Sequence, residues 1–232
     1  MTKIYTYLTT LSAITTDIRG NIMRELYNYN NLKVYVDSDD FRIIKDNSLL
    51  VTITKGTSLH ISINRRCIEA CTITVKGNLV IIDGTIAANE SDSIVNIEIT
   101  LKDYSLVVRG DLTLAVYMTQ QTTRPTYTLY GRTQVLSDSD RGMINQAEYI
   151  LQDSSSLSII VASDQEPIQV NMYGNSHCST REEALINAYD NSTIEVYEYC
   201  PKVTINAYDN VEVSAPDDTI VTINDESKLT IV

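Results

Sequence analysis

Tryptophan is absent from this 232-residue chain, and phenylalanine occurs once, at Phe41. Sugar-processing surfaces favour broad aromatic rings for stacking, so the lack of Trp weighs against a carbohydrate active site. Only four cysteines are present, too few for a disulfide framework, and the expected state is reduced thiols, mostly buried. Basic residues are scarce: 18 Lys and Arg against 30 Asp and Glu leave a net charge of −12. Nucleic acid and anionic membrane surfaces both need clustered cations, so neither is an expected partner. No apolar run approaches the ~20 residues of a membrane-spanning helix. The start, Met1-Thr2-Lys3-Ile4-Tyr5-Thr6-Tyr7, lacks a secretory h-region and cleavage site, so synthesis and folding in a cytoplasm are expected. A phosphate-cradling Gly-rich loop and an Asp-x-Asp-x-Asp-Gly calcium loop are missing too.

What is present is repetition. Apolar residues make up 43% of the chain, enough for a core, and 15 Tyr suit half-buried strand surfaces. An acidic or Asn turn, a Ser and then an alternating strand recur. The phrase reads Lys45-Asp46-Asn47-Ser48, Lys102-Asp103-Tyr104-Ser105, Asp153-Ser154-Ser155-Ser156, Tyr189-Asp190-Asn191-Ser192 and Asn224-Asp225-Glu226-Ser227. Ile186-Asn187-Ala188-Tyr189-Asp190-Asn191 returns 19 residues on as Ile205-Asn206-Ala207-Tyr208-Asp209-Asn210. Val203-Thr204-Ile205-Asn206 returns 18 residues on as Val221-Thr222-Ile223-Asn224. A fixed period of strand-like units marks a stacked, quasi-one-dimensional fold. The expected fold is therefore mainly β, a β-solenoid (β-helix) with coils of about 18–20 residues, each holding three short strands and three turns. Asn and Asp at equivalent corners are expected to stack as polar ladders.

Four segments follow from the patterning. Within 1–31, Leu8, Leu11, Ile14, Ile18, Ile22 and Leu26 fall at helical spacing, and Thr15-Thr16-Asp17 offers a cap, predicting a helix over 17–28 that attaches or caps. Residues 32–118 form a strand-rich block punctuated by Gly56, Gly77, Gly84 and Gly110. Residues 119–152 read as a loop and short-helix junction, with Ile144, Ala147, Ile150 and Leu151 at helical spacing. Residues 153–232 hold the purest repeats.

The run from Ile186 to Tyr197 and its copy from Ile205 to Val213 resemble the Ala-Tyr-Asp-Asn-Ala-Thr-Val repeats of β-solenoid proteins from bacterial and bacteriophage genomes. The close match covers 153–232, about a third of the chain. On that resemblance the chain is similar to a bacteriophage virion fibre or spike subunit, shorter than long fibres and with no recognisable receptor-binding tip. The resemblance implies a non-enzymatic head or tail fibre subunit in the virion. It also implies a homo-oligomer, usually a trimer, that docks through its N-terminus onto other virion proteins and presents its shaft, in some cases to a host surface glycan.

Side-chain chemistry offers rival readings. Glycoside hydrolysis needs two carboxyl groups across a groove, and Asp37, Asp39, Asp40, Asp138, Asp140, Asp164 and Glu166 are the candidates for a polysaccharide-cleaving spike. Acidic residues occupy turns throughout, however, and a solvated corner explains them. Cys67, Cys71, His177 and Cys178 offer zinc-ligand types, with Cys200 left over, but the halves lie far apart in sequence. His60 alternates with Leu59 and Ile61, so it is expected to face outward. Arg109-Gly110-Asp111 spells an adhesion tripeptide and reads as a plain turn. No catalytic, cofactor or metal residue is assigned. A third reading, a bactofilin-like polymer growing end to end, fits less well with the acidic surface.

Overall fold

Strict alternation of apolar and polar residues governs the architecture. The computed structural model describes residues 14–16, 22–29, 32–37, 41–45, 49–53, 59–63, 68–86, 95, 97–118, 123–139, 147–160, 167–197, 203–217, 219–223 and 228–231. The chain is mainly β, and no helix occurs among the described residues. The first strands are β1 (Ile14–Thr16), β2 (Ile22–Tyr29), β3 (Leu32–Val36), β4 (Phe41–Lys45), β5 (Leu49–Ile53), β6 (Leu59–Ile63), β7 (Ile68–Lys76) and β8 (Leu79–Ile86). Next come β9 (Ile97–Leu101), β10 (Ser105–Asp111), β11 (Thr113–Met118), β12 (Thr126–Leu129), β13 (Gln134–Ser139), β14 (Glu148–Leu151), β15 (Ser156–Ile159) and β16 (Ile168–Met172). The last are β17 (His177–Thr180), β18 (Ala184–Ala188), β19 (Thr193–Val196), β20 (Val203–Ala207), β21 (Glu212–Ala215), β22 (Ile220–Ile223) and β23 (Lys228–Ile231).

They form two long sheets. Sheet A, of 12 strands, runs β1-β2-β3-β7-β8 and then through the even strands β10 to β22. Sheet B, of 11 strands, runs β4-β5-β6 and then through the odd strands β9 to β23. The N-terminal part is largely antiparallel: β1, β2 and β3 form a meander, β4, β5, β6 and β9 another, and β7 and β8 a hairpin. From β8 and β9 onward every pairing is parallel, each strand bonding to the one two places on. The chain therefore makes repeated laps, one strand in each sheet, up to β22 and β23.

Each lap adds one rung to two inner columns. Leu106, Tyr127, Tyr149, Val170, Ile186 and Ile205 line up in sheet A, each fully buried. Leu114, Val135, Leu157, Cys178, Ile194 and Val213 line up opposite them in sheet B. Each buried Val, Leu or Ile contributes about 1.5–3 kcal/mol relative to leaving it exposed. Most parallel sheets are covered on both faces and read as continuous apolar runs. Here the outer faces are wet, so the strands alternate: in β16, Ile168, Val170 and Met172 point in while Gln169 and Asn171 point out.

Several sequence expectations are corrected. The predicted N-terminal helix is a strand where it is described: Ile22–Tyr29 forms β2, hydrogen-bonded to β1 and β3. The segment Tyr27-Asn28-Tyr29 alternates as strands do, and pairing with β3 overrides the weaker three-four spacing. Thr15 and Thr16 of the proposed cap lie in β1, while residues 17–21, with Asp17 and Gly20, lie outside the described residues. In the 119–152 segment, Glu148–Leu151 is β14, with Ala147, Tyr149 and Leu151 buried at period two. Both sheets run through this segment by way of β12, β13 and β14. A lap holds two strands, one in each sheet, where three were expected.

The lap length is also uneven, and the reason is local. From β12 on, the passage from sheet A to sheet B spans four residues at 130–133, 152–155, 173–176, 189–192 and 208–211, whereas β10 passes to β11 through Leu112 alone. The return passage varies, from 181–183 between β17 and β18 to 160–167 between β15 and β16. Residues in register are thus 22 apart at Tyr127 and Tyr149, 19 apart at Ile186 and Ile205, and 16 apart at Ile205 and Val221.

Candidate functional site

The constant corner explains the recurring sequence phrase. Its second residue takes the left-handed conformation at Gly131, Asp153, Gly174, Asp190 and Asp209, with φ between 60° and 75°. Gly and Asp tolerate that conformation better than most residues. Where the residue is Asp, its Oδ2 accepts a backbone N–H from the previous lap: Gly131 to Asp153 at 3.0 Å, Gly174 to Asp190 at 2.8 Å and Asp190 to Asp209 at 3.3 Å. The fourth corner residue is buried, and at two corners its hydroxyl bonds back, Thr133 to the Tyr130 carbonyl at 2.7 Å and Ser192 to the Tyr189 carbonyl at 2.6 Å. These carboxylates serve the backbone of a neighbouring lap. Asp103, also at positive φ (58°), lies on the opposite flank and accepts the N–H and hydroxyl of Thr123. The phrase therefore marks two different corners.

Among the described residues, the candidate catalytic and metal residues do not gather. Asp37 Oδ2 accepts the Gly77 N–H at 2.7 Å, and Asp138 lies in β13 of the other sheet. Asp39, Asp40, Asp140, Asp164, Glu166, Cys67 and Cys200 lie outside the described residues. Cys71 is buried in β7 of sheet A and Cys178 in β17 of sheet B. Burial pushes both thiols up to about 12, and the charge of Asp83 adds to the effect at Cys71. Such thiols are poor nucleophiles and poor metal ligands. His177, next to Cys178, points out of the sheet while Cys178 points in, and its Nδ1 lies 2.9 Å from Thr193 Oγ1. Partial burial lowers the His177 pKa, against an upward pull from Glu195. No cluster of three or more potential metal ligands occurs among the described residues. His60 is exposed between buried Leu59 and Ile61, as its alternation predicts.

The outer face of sheet A carries ordered polar rows. Asn206 donates to Asn187, Asn187 to Asn171 and Asn171 to Glu148, at 2.9, 3.0 and 2.9 Å. Beside them at the corner, the rings of Tyr173, Tyr189 and Tyr208 stack nearly parallel, with centroids 5.1 and 4.8 Å apart. Desolvation, then the neighbouring rings Tyr208 and Tyr173, raise the Tyr189 pKa. Each lap is thus tied to the next outside the core as well as within it.

The same rim changes character near the antiparallel block. Cross-strand register places Lys33, Thr72, Asp83 and Arg109 side by side on β3, β7, β8 and β10. Together with the backbone of Gly84 and Gly110 they surround a cleft of about 460 Å³. Arg109 Nη1 lies 3.7 Å from Asp83 Oδ1, and its guanidinium sits 5.6 Å from the centre of the Tyr130 ring. Asp111 pairs with Arg132 of the next lap. Both charged ends of Arg109-Gly110-Asp111 are therefore engaged between strands, and the tripeptide ends β10 at a corner of the stack. Sequence reasoning missed the cleft because its residues are far apart and meet only through the reversed β7–β8 hairpin.

No family model matches the chain, and no curated protein or solved structure matches it either. What the chain does is read from its own residues.

Proposed function

We propose that the chain is a non-enzymatic structural subunit: a two-strand-per-lap β-solenoid forming the shaft of a bacteriophage head or tail fibre, and so a virion protein. The observation that carries this reading is the corner column. Its carboxylates, the residues an active site would need, are bonded to the backbone of the adjacent lap. The Asn ladder and Tyr stack add ties along the same axis, as a stiff rod requires. The virion setting rests on the resemblance of the Ala-Tyr-Asp-Asn repeats. In this reading the antiparallel block of β1 to β8 takes the attachment role first expected of a helix, docking onto other virion proteins. The chain works as a homo-oligomer, a trimer by resemblance. Light scattering coupled to size exclusion tests it: a trimer is expected, and a stable monomer at micromolar concentration sinks the fibre reading. Incubation with capsular polysaccharide should yield no new reducing ends; their appearance would overturn the non-enzymatic reading.

A further inference from the structure

We propose that the cleft between β3, β7, β8 and β10 is a binding site for a carboxylated sugar, such as a uronic acid unit. The volume, about 460 Å³, falls within the roughly 300–1,000 Å³ of small-molecule sites. Two cations, Lys33 and Arg109, flank a single carboxylate, Asp83, on the rim of a chain whose net charge is −12. Lys33 has no ion-pair partner among the described residues, and Arg109, which also lies over the Tyr130 ring, meets Asp83 only at a long 3.7 Å, with the Arg109 and Asp83 side chains about half exposed. This arrangement attracts an anionic group to Lys33 and Arg109.

Asp83 makes the site selective. A bare anion meets repulsion from it, whereas a ligand that also carries hydroxyls can donate hydrogen bonds to it. Thr72 and Thr85 add hydroxyl partners on the same wall. A pyranose with one carboxylate and several hydroxyls meets all these demands. The biological use of such a site rests on the fibre reading, but binding itself does not, and it is measured separately from oligomeric state.

The test is an NMR titration of the full chain with sodium glucuronate, glucose and sodium acetate. Glucuronate is expected to bind about tenfold or more tighter than either control, since it alone engages both the cations and Asp83. Lys33→Ala and Arg109→Ala should each weaken glucuronate by about tenfold. Lys228→Ala, at the far end of sheet B, should leave it unchanged. Asp83→Asn should narrow the ratio between glucuronate and acetate. Lys33 is exposed, so its variant keeps the test valid if Arg109→Ala fails to fold. Acetate binding as tightly as glucuronate, glucuronate binding insensitive to Lys33→Ala, or no glucuronate binding would each overturn the proposal.

Discussion

The antiparallel block and the parallel stack share two sheets but are held in different ways. In the block, apart from the β3–β7 and β6–β9 pairs, neighbours in space are neighbours along the chain: β7 and β8 meet across the short turn at Gly77 and Asn78. In the stack, neighbours in space are a lap apart, and like residues sit on like: Ile186 on Ile205, Asn187 on Asn206 and Ala188 on Ala207. Near-literal repetition in sequence appears only in the stack because only there does each position meet the same surroundings again. An antiparallel hairpin reverses the order of its partner, so no residue inherits a copy's environment. The block also occupies one end of the stack with locally paired strands, which protects the first parallel rungs from pairing with other chains.

The largest expected effect lies at the seam between the two regions. A Cβ on Gly110 would stand 2.1 Å from the Gly84 carbonyl oxygen, at φ +104°. Gly110→Ala should cost about 3 kcal/mol or more in urea unfolding, since strain and clash add. Gly77, inside the block, has φ +52° but open space around it. Gly77→Ala should cost only about 1–2 kcal/mol, the strain alone. Equal losses would mean that the seam is no tighter than a hairpin turn.

Alkaline pH separates the regions next, because among the described residues each holds one buried thiol. Cys71 in the block and Cys178 in the stack stay protonated to about 12 in the folded chain, against 9.0 as the ordinary value. Above pH 9 the unfolded chain therefore gives up protons that the folded chain keeps. Their contribution is complete below pH 9 and is lost as pH rises toward 12. Unfolding curves across that range should flatten in Cys71→Ala and in Cys178→Ala. An Asp83→Asn background should shrink the Cys71 effect alone, since Asp83 acts only on that thiol. An equal response of both thiols to that background would contradict the assignment.

The smallest effect compares adjacent rungs within the stack. Tyr127 and Tyr149 are both fully buried and pack edge to face at 5.3 Å. The Tyr149 hydroxyl lies 2.7 Å from Ser137 Oγ, whereas the Tyr127 hydroxyl has no hydrogen-bond partner among the described residues. Tyr149→Phe should therefore destabilise by about 1 kcal/mol, and Tyr127→Phe should stabilise by a similar amount. Thermal melts giving the same sign for both would show that packing, and not hydrogen bonding, distinguishes them.

The stack was the more legible part, for the reason already given. The 19-residue repeat of Ile186 to Asn191 is the true register. The 18-residue repeat of Val203 to Asn206 is not: Ile205 pairs with Val221, 16 residues on. A slip of two residues keeps every side chain on its own face, so alternation cannot distinguish the two registers. The number of strands in a lap was hidden because the sequence marks corners, while only backbone pairing shows which corners turn between sheets. The N-terminal strands were misread because apolar residues three and four apart can also belong to strands whose partners are unknown. Lys33, Thr72, Asp83 and Arg109 carry no common spacing, so their cleft was beyond reach without the hairpin register.

The four-residue corner has a consequence for how such a chain can change length. Since 130–133, 152–155, 173–176, 189–192 and 208–211 all make the same turn, a duplicated lap would find its docking geometry already set. The other flank, where passages range from 181–183 to 160–167, can absorb insertions without moving a strand. One edge of the rod thus counts its units, and the opposite edge is free to be decorated.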